Sequence, residues 1–184
     1  MALMVETGAG VAGADSYLAL AAADAHHAAM GALAWPEASD PVRESALRRA
    51  TAAVDGLFAD RWKGTKAVPW SVNGLAWPRR DVRDAADQPI VSADTLPAAL
   101  LVAVAEAARL ELEQPGCLAE AARAVRRFAL GPLSVEMAAG DPLPPAVSLA
   151  LAPLLRPPAP VPRLAVPAAA PPPFRAGMHD GGQR

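Results

Sequence analysis

The chain has 184 residues, enough for one domain of ordinary size. A formal net charge of −2 gives no global pull toward nucleic acid, and the lone cysteine, Cys117, excludes an intramolecular disulfide. Aromatic residues are 4% of the chain and much of its 53% apolar content is alanine, so the core is smaller than that fraction implies.

A single thiol fits a reducing cytoplasm. The N-terminus lacks the positive n-region of a signal peptide, and the later apolar stretch at 96–105 is too short to span a bilayer. The expectation is a soluble intracellular protein with no membrane partner.

Residues 1–14 contain G-x-G-x-x-G at Gly8, Gly10 and Gly13, after the apolar run Ala2–Val5 and before a helix signal. A dinucleotide fingerprint works only in a βαβ unit whose second strand ends in an acidic residue. Here Leu33-Ala34-Trp35-Pro36 and another helix signal follow, with no second strand. A flexible glycine-rich arm is expected over 1–14. Asp15 or Ser16 then caps a helix to about Met30, with Gly31 as its stop. His26 and His27 are adjacent on that helix, so they point apart and read as polar surface near its C-terminal end, with no shared metal.

Asp40-Pro41 reads as the N-cap and first position of a helix running to Trp62. Its apolar stripe is Leu47, Ala50, Val54, Leu57 and Phe58. Residues 62–93 are a long connection holding three of the four tryptophans: Trp62, Trp70 and Trp77. Such a loop is functional or packed by its own side chains, and the tryptophans point to packing. Arg79, Arg80 and Arg83 are offset by Asp81, Asp84 and Asp87, which leaves no uncompensated phosphate track.

The stretch Thr95–Gln114 is apolar on nearly every side, with Glu106, Arg109 and Glu113 forming one narrow charged strip. Asp94 or Thr95 can cap it, Pro97 is tolerated in a first turn, and Pro115-Gly116 stops it. It reads as the central helix of a small bundle. After a short helix at 118–125, a β-hairpin is expected over about 125–138 around Gly131-Pro132. Residues 145–155 form a last short helix interrupted by Pro153.

Twelve of the 20 prolines fall between Pro142 and Pro173, and the chain beyond Leu155 is rich in proline and alanine. That composition favours extended polyproline II. Residues 157–173 would reach on the order of 50 Å at about 3.1 Å per residue. The expectation is an arm, residues 156–184, that docks on a partner. Val161, Leu164, Val166 and Phe174 would supply apolar contact, and Arg156, Arg163 and Arg175 would pair with acidic groups or DNA phosphate. The organisation is thus an arm at 1–14, a mainly α domain at 15–155 with one short hairpin, and the C-terminal arm.

Read together, ADSYLALAAADAHHAAMG, ALRRATAAVDGLFADRWKG, LAWPRRDV, LPAALLVAVAEAARLEL, LGPLSVEM and LAPLL resemble, in order and spacing, the head–tail connector (adaptor) proteins of tailed bacteriophages and gene-transfer agents. Many such sequences carry the label DnaT-like single-stranded-DNA-binding protein. The resemblance covers about residues 1–155. Its most specific parts are W-K-G with Trp62 and Gly64, and L-A-W-P-R with Trp77, Pro78 and Arg79. It implies a mostly helical protein in the neck of a virion, assembled as a ring, commonly of twelve, beneath the portal protein. Such a ring continues the channel for double-stranded DNA and receives a stopper or tail-side protein. It implies no enzyme activity and no cofactor. The residues agree in offering neither a nucleophile motif nor a metal pairing at helical register. The alternative is a single-stranded-DNA-binding module, for which Trp62, Trp70 and Trp77 could stack bases. Against it, Lys63 and Lys66 are the only lysines.

Overall fold

The computed structural model describes residues 2–124, 127–130, 133–136 and 143–157. The elements run α1 Leu20–Ala29, α2 Ala34–Glu37, α3 Asp40–Leu57, β1 Thr65–Lys66, β2 Arg79–Arg80, α4 Ala98–Glu113, α5 Cys117–Ala124, β3 Arg127–Leu130, β4 Leu133–Glu136 and α6 Pro145–Leu151. A 3-10 turn, Ala152–Leu154, follows α6. The protein is mainly helical, as its sequence pattern requires.

α4 is the centre. It buries Leu100, Ala103, Val104, Ala105, Ala107, Ala108 and Glu111, and it is packed by α1, α2, α3, α5 and α6. Its most extensive interface is with α3, which buries Ala46, Leu47, Ala50, Thr51 and Val54. Alanines at these positions leave little side chain between the helices. Each fully buried leucine, such as Leu47 or Leu100, contributes roughly 1.5–3 kcal/mol. The charged strip of α4 is closed by Arg109, whose Nη1 lies 2.7 Å from Glu113 and whose Nε lies 3.5 Å from Glu106.

The helix boundaries differ from expectation where a polar side chain is used elsewhere. α1 begins at Leu20 and not at Asp15, because Asp15 accepts from the Met4 N–H at 2.9 Å and binds Arg48 Nε at 2.7 Å. Asp40 lies inside α3, which is preceded by Ser39, and it pairs with Arg43 at 2.6 Å. α3 ends at Leu57, short of Trp62. α4 starts after Pro97, and the Thr95 hydroxyl turns to Asp94. The hairpin forms β3 and β4, with Leu130 opposite Leu133. No helix among the described residues is long and apolar enough to cross a membrane.

The long connection is fastened at both ends. β1 and β2 pair antiparallel, Thr65 opposite Arg80. Trp62 bridges Leu155, the Lys63 N–H donates to Leu154 O at 2.9 Å, and the Arg156 N–H donates to Arg61 O. Trp62 is 2% exposed and Trp77 is fully buried. Their rings meet edge to face with centroids 5.7 Å apart, and Phe58 meets Trp62 in the same way at 5.6 Å. Such pairs add about 0.5–1.5 kcal/mol beyond area burial. Both indole N–H groups lack a hydrogen-bond partner, so the two rings are held by packing. Trp77→Ala is expected to cost about 3–5 kcal/mol of unfolding free energy, read as a fall in denaturation midpoint. Trp70→Ala should leave the midpoint within about 0.5 kcal/mol, since that ring is exposed.

Candidate functional site

The glycine-rich loop is not a free arm. Glu6, 1% exposed, turns its carboxylate into it. Oε1 accepts from the N–H groups of Gly8 at 2.7 Å and Gly10 at 2.9 Å, and Oε2 accepts from Val11 at 2.8 Å and from Asn73 Nδ2. The Glu6 N–H donates to Ser16 O, and Val5 bridges Ser16, which pins the segment to the body. Gly8 sits at φ 102°, and a Cβ there would lie 2.1 Å from Asp94 O. Converging backbone N–H groups of this kind form an anion-binding concavity. Here the anion is the chain's own carboxylate, so the motif is a structural clasp and the expected flexible arm is corrected. The signal in the sequence was Glu6, two residues before Gly8.

The two tryptophan motifs form a second polar centre. Arg79 is half-buried and donates from Nε to Lys63 O at 2.7 Å, from Nη2 to Gly64 O at 2.9 Å and from Nη1 to Ala76 O at 3.2 Å. Gly64 is at φ 66°, and a Cβ there would meet Arg80 O at 2.2 Å. The Trp77–Pro78 peptide bond is cis. The Trp77 N–H donates to the Tyr17 hydroxyl at 3.0 Å, that hydroxyl donates to Asp55 at 2.8 Å, and the Ala76 N–H donates to Asp55 Oδ2 at 2.8 Å. Thus Trp62, Gly64, Trp77, Pro78 and Arg79 come together in a brace. Burial, and next the Asp55 charge, pushes the Tyr17 hydroxyl far above the usual phenol range. Burial pushes the Asp55 carboxyl up to about 6, against the Ala76 and Tyr17 hydrogen bonds and the charges of Lys66 and Arg79.

The exposed part of the connection carries one aromatic platform. Trp70 is 64% exposed, and Lys66 Nζ sits 4.2 Å from its ring centroid while donating to Leu75 O. Burial lowers the Lys66 pKa from the usual lysine value. Arg80 is exposed on the paired strand, with Nη2 donating to Ala67 O at 2.8 Å. Arg43, Arg48, Arg49, Arg83 and Arg109 are all held by carboxylates. Arg49 reaches Glu111, which is 1% exposed and also accepts from the Gly116 and Leu118 N–H groups. Of the expected arm contacts, Arg156 is exposed beside the Trp62 motif. Val161, Arg163, Leu164, Val166, Phe174 and Arg175 lie outside the described residues. His26 and His27 do not form the expected polar surface. His27 is fully buried against Trp35, with ring centroids 4.2 Å apart, and His26 Nε2 lies 2.8 Å from Glu106 Oε1.

These features define a small helical bundle whose long connection is braced by buried tryptophans and presents a short aromatic and cationic surface. Residues 1–164 match the family described as "Putative DnaT-like ssDNA binding protein", and the chain belongs to that family. No curated protein and no solved structure matches it.

Two outcomes follow from the polar centres. Glu6→Gln places an amide NH2 against backbone donors and should cost about 1–3 kcal/mol, the penalty of a buried unsatisfied donor, measured by chemical denaturation. Asp55 holds its proton more tightly in the folded state than in the unfolded chain. Its contribution to stability is therefore complete below its unfolded value near 4 and is lost as pH rises through about 6. The stability difference between wild type and Asp55→Asn should shift against wild type from pH 4.5 to 7, a trend followed by thermal melts in parallel buffers.

Proposed function

We propose that the protein works by binding, without chemistry of its own, as a head–tail connector in the neck of a phage-like particle. Its partners would be the portal protein, a stopper or tail-side protein and further copies in a ring, with double-stranded DNA passing through the lumen. The sequence resemblance supports this reading. The observation that carries it is the commitment of the arginines: Arg43, Arg48, Arg49, Arg83 and Arg109 face carboxylates, and Arg79 and Arg80 face backbone carbonyls. A surface past which DNA slides is served by compensated charge, whereas one that grips a phosphate backbone needs free cations. The C-terminal arm, leaving the body at Arg156, would dock on a neighbour.

The family description speaks more directly for a second reading, single-stranded-DNA binding. The observation that favours it is Trp70 with Lys66 and Arg80 on the exposed connection. Stacking of one base on an aromatic ring is worth about 1–3 kcal/mol, or about 5- to 150-fold in affinity.

One pair of measurements separates the two. The full-length chain is titrated into a labelled oligodeoxythymidine at near-physiological salt, and is mixed with portal rings of a particle whose genes adjoin its own. The connector reading expects flat anisotropy and a joint portal complex in sedimentation. Saturable oligonucleotide binding, weakened about 5-fold or more by Trp70→Ala, together with no portal complex, overturns it in favour of the second reading.

A further inference from the structure

We propose that His26, His27 and Glu106 form a site for a divalent first-row transition metal, with zinc as the ion it fits best. One ligand atom from each of the three residues lies within 4.8 Å of the others. The last turn of α1 supplies both imidazoles, and α4 supplies the carboxylate. Adjacent residues point about 100° apart on a helix, yet these long side chains converge because α4 passes close to the end of α1. Their rings meet edge to face at 5.2 Å.

The second observation is His27 itself. It is fully buried, and neither Nδ1 nor Nε2 has a hydrogen-bond partner. Burying a polar group without a partner is unfavourable. An ion beside the ring removes that cost. The Ala105 carbonyl lies near the ring but outside hydrogen-bond geometry. A small ring rotation lets the non-ligating N–H donate to it, as metal-bound histidines commonly do.

The donor set fits the ion. Two imidazole nitrogens and one carboxylate oxygen suit zinc and its neighbours, whereas calcium and magnesium take oxygen sets. Tetrahedral bonds of about 2.0–2.1 Å place donors about 3.3 Å apart. The present spread needs a contraction of at most about 1.5 Å, within reach of side-chain rotation. The charges allow it. Glu106 and Glu113 face Arg109, leaving one net negative charge, and the Asp24–Arg43 pair behind Trp35 is neutral. A cavity lined by His27, Trp35, Glu106, Arg109 and Glu113 opens on the site and leaves room for a water as fourth ligand.

The test uses the untagged full-length chain, stripped with chelator and titrated with zinc chloride by calorimetry, and with cobalt chloride by visible absorption. One equivalent should bind, with the intense d–d bands of tetrahedral cobalt, and zinc should raise the melting temperature. Glu106→Gln and His26→Asn, each checked for native circular dichroism, should weaken binding at least tenfold. His179→Asn, in the C-terminal arm, should leave it unchanged. Absence of saturable binding overturns the site, and so does binding that survives Glu106→Gln and His26→Asn or is lost in His179→Asn.

Discussion

A helix with almost no polar face has to be surrounded, and that constraint organises this protein. α4 carries buried residues at positions that point in several directions, so one partner cannot cover it. α3 takes the largest share, α6 and α5 take others, and the ends of α1 and α2 close the remainder. Of these, α2, α5 and α6 are short, with 4, 8 and 7 residues. Helices of that length are marginal alone in water. Their order derives from the surface that α4 offers them.

Around this apolar centre the loops are held by single buried polar groups that gather backbone donors. Glu6 collects the glycine-rich loop, Asp55 and Tyr17 collect the start of the LAWPR segment, and Glu111 collects the turn into α5. Each satisfies N–H groups that burial would otherwise leave unpaired. An alanine-rich core supplies little side-chain volume per residue. Irregular backbone therefore comes close to the helices and needs acceptors there, which these carboxylates provide.

This division explains what could be read from the residues. The apolar circumference of α4 is a local pattern, and so is the mass of Trp62 and Trp77 in a loop poor in other large apolar groups; both were legible. The hairpin was legible from its alternation around Gly131-Pro132. The caps were misread, because Asp15, Asp40 and Thr95 have several donors within reach and spend their oxygens on tertiary or neighbouring partners. The Glu6 clasp needs Asn73, 67 residues away, and the burial of His27 needs Trp35 and α4. No local periodicity carries such pairings. The aromatic platform was half legible. All three tryptophans were candidates for stacking, and the fold leaves Trp70 on the outside while Trp62 and Trp77 brace the core.

The antiparallel contact of Trp62 with Leu155, flanked by Lys63 to Leu154 and Arg156 to Arg61, has a mechanical meaning. Tension applied to the chain beyond Pro157 meets this short ladder before it meets α6. The load then passes into the segment that follows α3 and, through the edge-to-face rings of Trp62 and Trp77, into the braced connection. The chain at Arg156 and Pro157 is thereby made fast like a rope to a cleat, so that load is taken by the ladder while α6 stays seated on α4.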